Sequence, residues 1–186
     1  EDIFNQPTEM VHIRDVSRQQ REIQRAAQLL KSGELVAFPT ETVYGIGALG
    51  LNVGAVERLY AAKNRPVGKA FSLQVANVNM IQQIAAYVPL MARKLLEKFA
   101  PGPITVVLPK AAQVPELVTG GRDTVGIRIP DNPVALAVLQ AVGAPLAVPS
   151  ANISGHVSPK SGADVFGDMA GRLAMILDGG PCAIGR

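Results

Sequence analysis

Lys63 and Arg65 stand two positions apart in the run Lys63-Asn64-Arg65-Pro66, with Lys69 close behind. Such a group could hold phosphate oxygens, the lysines as point charges and the arginine as a planar fork. It would equally suit a solvated helix end, because cations complement the negative pole of a helix C-terminus. Pro149-Ser150-Ala151-Asn152-Ile153-Ser154-Gly155 gathers hydroxyls, a side-chain amide and loop N–H groups. Phosphate needs such donors around it, although a Ser/Asn turn without a ligand has the same composition. Thr40-Glu41-Thr42-Val43-Tyr44 follows a buried apolar run, a place where α/β folds often present ligand groups, and its Thr and Glu could also cap a turn.

Other chemistries drop out. His12 and His156 are the only histidines and Cys182 the only cysteine, too few for a disulfide framework or a Cys/His zinc site. No carboxylate cluster suggests a metal held by the protein alone. Gly45-Ile46-Gly47-Ala48-Leu49-Gly50 is a literal GxGxxG. Its glycines begin several residues after the preceding strand, and Lys69 and Ala70 stand where a dinucleotide site needs an acid about 20 positions on. Tight backbone turning is the expected role. Gly68-Lys69-Ala70 lacks the rest of a phosphate loop, which excludes a P-loop.

The elements that position these residues follow from periodicity. Ser17-Arg18-Gln19-Gln20 has the form of a capping box, and Ile23, Ala26, Ala27 and Leu30 then predict a helix to Lys31, with Gly33 as its left-handed cap. Residues 35–38 read as a buried strand stopped by Pro39. Val56, Leu59 and Tyr60 predict a helix from Val53 to Lys63, which places Lys63 and Arg65 at its C-terminal end. Further strands are expected at 71–75, 104–108, 125–129, 146–148 and 173–177, and helices at 81–87, 90–99 and 134–142. Pro101-Gly102-Pro103 forces a turn, and a polar loop containing Thr119 to Asp123 separates the strands at 104 and 125. The interleaving predicts an α/β fold, a mixed sheet with helices on its faces.

With 186 residues, 48% of them hydrophobic, the chain is expected to form one domain over 1–186, with 1–16 a loosely ordered start. No apolar run approaches the roughly 20 residues of a membrane helix. The N-terminus has no basic region followed by an apolar one, so it does not resemble a secretory leader, and a cytoplasmic setting is the default. A net charge of +3 suits an anionic small molecule or a nucleic acid. Aromatics are 4% of residues with no tryptophan, a poor basis for stacking single-stranded bases.

In order and spacing, TETVYG, KNRP, PGPIT, VGIRIP, PSANISG, SP and LDGG resemble the YrdC/TsaC family of threonylcarbamoyl-AMP synthases, over roughly residues 20 to 185. The pairing of KxR with SxN is the family's hallmark. The resemblance implies a twisted mixed β-sheet flanked by helices, with a concave basic face. It implies an enzyme, a nucleotidyltransferase that combines L-threonine, bicarbonate and ATP into threonylcarbamoyl-AMP and pyrophosphate, with Mg²⁺ accompanying ATP. A partner threonylcarbamoyltransferase complex then uses the adenylate to form N6-threonylcarbamoyladenosine at position 37 of tRNA. Carried over by position, Lys63, Arg65 and Lys69 meet the ATP phosphates, the first two as catalytic residues. Ser150, Asn152, Ser158 and Thr124 complete the nucleotide site. Thr42 and Arg128 hold threonine, and the backbone near Val148 lines its pocket. No protein nucleophile is implied, so positioning and preorganised cations carry the catalysis.

Two departures follow. Gln74 stands where many relatives carry a histidine that helps hold threonine, and glutamine can donate and accept hydrogen bonds but cannot carry charge. The chain also stops at Gly185-Arg186, where many relatives continue into a Ser-Thr-Val segment that closes over the substrate, and a longer family version adds a C-terminal domain. Two rival readings remain. One is a carbamoylation domain like that of HypF hydrogenase-maturation proteins, which makes a carbamoyl-adenylate without threonine. Those proteins carry acylphosphatase and zinc-finger domains that nothing here resembles. The other is a module that binds double-stranded RNA or tRNA without catalysis, recognisable by salt-sensitive RNA binding.

Overall fold

The computed structural model describes residues 4–184, so Gly185 and Arg186 lie outside the described residues. In α1 (Gln20–Lys31), Ile23, Ala26, Ala27 and Leu30 are fully buried, as the spacing predicts. The capping box is not formed. The Ser17 hydroxyl donates to the Asp15 carboxylate at 2.6 Å, a local acceptor that removes it from the helix end. Gln19 takes the N-cap position, and its side-chain oxygen accepts the N–H groups of Arg14 and Asp15. At the other end Gly33 adopts φ +90, the left-handed conformation expected there.

The buried strand is β2 (Val36–Pro39), and it pairs antiparallel with β3 (Tyr44–Leu49). Here the GxGxxG reading is corrected, because Gly45 and Gly47 are strand residues, not turn residues. They are glycines because neighbours approach closely. A Cβ on Gly45 would lie 2.3 Å from Val148 Cγ1, and one on Gly47 2.9 Å from the Phe38 ring. Within the stretch expected to be loose, Glu9–His12 forms β1, which pairs parallel with β8 (Met175–Asp178).

Between these lie α2 (Val53–Lys63), β4 (Leu73–Gln74), a 3₁₀ turn (Val78–Gln83) where a helix over 81–87 was expected, and α3 (Leu90–Phe99). The chain continues through β5 (Val106–Pro109), the short α4 (Glu116–Thr119), β6 (Thr124–Arg128), α5 (Pro133–Val142), β7 (Leu146–Ala147) and α6 (Gly162–Met169). Neither α4 nor α6 was expected. The sheet order is β1-β8-β2-β3-β7-β4-β6-β5, with parallel and antiparallel pairs, so the mixed α/β architecture is as predicted. Helices α1 and α5 pack on each other and on β2, while α2 packs on β3. No helix among the described residues is long and apolar enough to cross a membrane.

Candidate active site

Three strand ends and one helix end build the site. Gln74 on β4 is in register with Arg128 on β6 and with Leu146 on β7, and paired residues share a face of a sheet. Val148 and Ser150 continue the alternation from Leu146, and Ser150 bridges to Gly45. Thr124 and Gly126 alternate with Arg128 along β6. Thr124, Arg128, Gln74, Val148 and Ser150, chosen from scattered segments, therefore face one side together. Glycines keep this face shallow, since a Cβ on Gly126 would meet Ser72 Oγ at 3.1 Å and Thr105 Cγ2 at 3.2 Å.

Beside this face stands Lys63, the last residue of α2, where Asn64 in the left-handed conformation ends the helix. Lys63 is 2% exposed, and its Nζ donates to the carbonyls of Ser150 and Asn152, the latter at 2.7 Å. Its own carbonyl accepts the Ser154 N–H at 2.8 Å. The Asn152 amide group in turn donates to the Ile153 and His156 carbonyls, while its Oδ1 is buried without a donor. The hallmark pairing is thus a physical contact, with the SxN loop wrapped on the lysine. Burial, and secondarily the charge of Arg65, pushes the Lys63 ammonium down to about 8.

Arg65 is half-buried. It donates to the Ala70 carbonyl at 2.7 Å, and its guanidinium lies 4.2 Å from the centre of the Phe71 ring. Burial lowers its pKa as well. Lys69, Thr124 and Ser158 are exposed, and among the described residues their side chains make no hydrogen bond or ion pair. Ser158 lines a groove of about 430 Å³ with His156, Asp164 and Asp168. The Asp168 carboxylate bonds His156 Nδ1 at 2.7 Å and the Ile153 N–H at 2.8 Å, which props the SxN loop from behind.

In the β2–β3 turn the Thr40 hydroxyl donates to the Val43 carbonyl and accepts the N–H groups of Thr42 and Val43. The Thr40 and Thr42 hydroxyls lie 3.0 Å apart, so Thr42 is held by its neighbour. The residue that sequence reasoning missed is Glu41, 8% exposed, whose carboxylate pairs with the Arg128 guanidinium. An acid flanked by threonines after a buried strand was the available signal, but local capping also explains that pattern. Burial lowers the Arg128 pKa, and the group stays a cation. Among the described residues no three His, Cys, Asp or Glu side chains gather as metal ligands.

Residues 28–186 match the Sua5/YciO/YrdC family model, described as telomere recombination. A threonylcarbamoyl-AMP synthase of Bacillus subtilis is 43% identical over 172 residues, covering 92% of this chain and 50% of the relative. One from Vibrio vulnificus is 37% identical over 159 residues, covering 84% of this chain and 86% of the relative. The crystal structure of P. abyssi Sua5 complexed with L-threonine matches with a TM-score of 0.91 and 41% identity, over 97% of this chain and 52% of that one. The chain thus spans about half the length of the B. subtilis and P. abyssi proteins, and most of the Vibrio one.

Proposed function

Because the chain belongs to the Sua5/YciO/YrdC family, we propose that it condenses L-threonine, bicarbonate and ATP into threonylcarbamoyl-AMP and pyrophosphate. The observation that carries this is the contact of Lys63 with the Ser150-to-Asn152 loop, beside a sheet face that presents Arg128. A buried ammonium held only by carbonyl dipoles gains from a phosphate, while a planar guanidinium at a glycine-lined face suits an α-carboxylate.

In this scheme the threonine amine adds to the carbon of bicarbonate and water leaves, giving a carbamate. A carbamate oxygen then attacks the α-phosphorus, the bond to the bridging oxygen of the β-phosphate breaks, and pyrophosphate departs. Lys63, Arg65 and Lys69 oppose the charge on the phosphates, and Ser150, Asn152, Ser158 and Thr124 orient the nucleotide. Thr42, Arg128 and Gln74 hold threonine against the Val148 backbone. Lys63, Arg65 and Lys69 would hold the phosphates of a Mg²⁺–ATP substrate, and the ion would supply further charge neutralisation there. The product would pass to a partner complex that modifies tRNA in the cytoplasm.

Calorimetry with ATP and L-threonine, alone and together, followed by detection of the adenylate in bicarbonate buffer, tests the reading. Lys63→Ala and Arg65→Ala should each abolish threonine-dependent pyrophosphate release in a folded protein. Undiminished release in either variant would sink the site assignment. Adenylate formed without threonine would point to the carbamoylation rival, and RNA binding without ATP affinity to the non-catalytic one.

A further inference from the structure

Glu41 does within the chain what a substrate carboxylate would do. Its carboxylate pairs with the Arg128 guanidinium, and both side chains are largely withdrawn from water, 9% and 15% exposed. The Nε on the same edge of Arg128 is engaged as well, since Nε–H donates to the Gly102 carbonyl at 3.3 Å. The second Glu41 oxygen accepts the Asp131 N–H, and the Glu41 backbone carbonyl accepts the Ile184 N–H at 3.0 Å. On the neighbouring strand, Gln74 keeps its Oε1 buried without a donor, in register with Arg128. The face therefore holds a cation in contact with a carboxylate, and an acceptor still unmet.

We propose that Glu41 is a positioning residue for Arg128 and an internal stand-in for the α-carboxylate of the amino-acid substrate. The proposal rests on the reading that Arg128 receives threonine. Bidentate capture of a carboxylate needs two N–H donors free on one edge of the guanidinium. With the Nε–Nη2 edge shared between Gly102 and Glu41, a substrate carboxylate takes that edge by exchange, replacing the carboxylate of Glu41. Glu41 keeps a buried cation paired, which holds Arg128 in place at the cost of competing with the ligand. Exchange also disturbs the Asp131 N–H bond, so the turn before α5 registers occupancy.

The test is Glu41→Gln, which retains an acceptor for Asp131 and removes the charge. Calorimetry should show L-threonine binding tightened about tenfold, because the ligand-free state now holds an unpaired cation, while ATP affinity stays as it was. A residue that served only as a prop would leave threonine binding unchanged or weaker, and either result overturns the proposal. Should the variant fail to fold, the native protein answers by ¹⁵N spectra. Saturating L-threonine should shift the Asp131 amide, and threoninol, which lacks the carboxylate, should not. Threonine that binds by calorimetry with the Asp131 amide unmoved overturns the exchange. Absence of threonine binding in both proteins, with ATP binding intact, overturns the functional reading instead, and the exchange falls with it.

Discussion

Lys63 combines burial, two carbonyl acceptors and a nearby guanidinium, and these set opposite pH trends for folding and for function. Its ammonium is pushed down to about 8 from an ordinary 10.5. Between those values the unfolded chain binds more protons than the folded one, so this group makes folding more favourable as pH rises through that window. Phosphate binding runs the other way, because it needs the charged form. We expect kcat/KM for ATP to fall as pH rises above about 8, where the free protein loses the Lys63 proton, with L-threonine affinity holding through the same onset because Arg128 stays charged. A profile for ATP that is flat to about pH 9 would remove Lys63 from the phosphate site. The candidate residues were legible from sequence only as types in a series. That Lys63 touches Ser150 and Asn152 across 87 and 89 positions is a tertiary fact that no local pattern carries. Glu41 was hidden for the same reason, since its partner lies on β6.

At the scale of elements, the informative residues are glycines that serve packing. Gly45→Ala would force a methyl into Val148, and overpacking of this kind costs about 1–3 kcal/mol. Thermal unfolding should show a lower Tm, by roughly 2–4 °C per kcal/mol for a chain of this size. Gly167→Ala at an exposed position of α6, where nothing lies within 4 Å of the added carbon, should raise it through about 0.5–1 kcal/mol of helix preference. Equal responses at the two sites would show that Gly45 is not a packing glycine. Helices with long apolar periods, α1, α2, α3 and α5, were readable because their burial follows their own sequence. β1, β3 and α6 were not, since β1 depends on β8, β3 on glycines admitting Val148 and Phe38, and α6 on the Ser161 cap.

Over the whole molecule, the charge of +3 is modest, and its placement matters more than its sum. Lys69 is exposed and Arg65 half-exposed at the phosphate half, whereas Arg128 lies largely beneath the surface beside Glu41. Mobile ions screen exposed charges over about 10 Å at 0.1 M salt and reach buried pairs far less. ATP affinity should therefore weaken several-fold as ionic strength rises from about 0.05 to 0.5 M, and L-threonine affinity should change by less than about twofold over that range. Calorimetric titrations at three salt concentrations measure both slopes on one sample. If threonine binding proves as salt-sensitive as ATP binding, its carboxylate is held by surface cations and not by Arg128, and the division of the site into a phosphate half and an amino-acid half fails. A far steeper slope for an RNA duplex than for ATP, with no adenylate formed, would instead mark the basic groups as a track for a phosphate backbone.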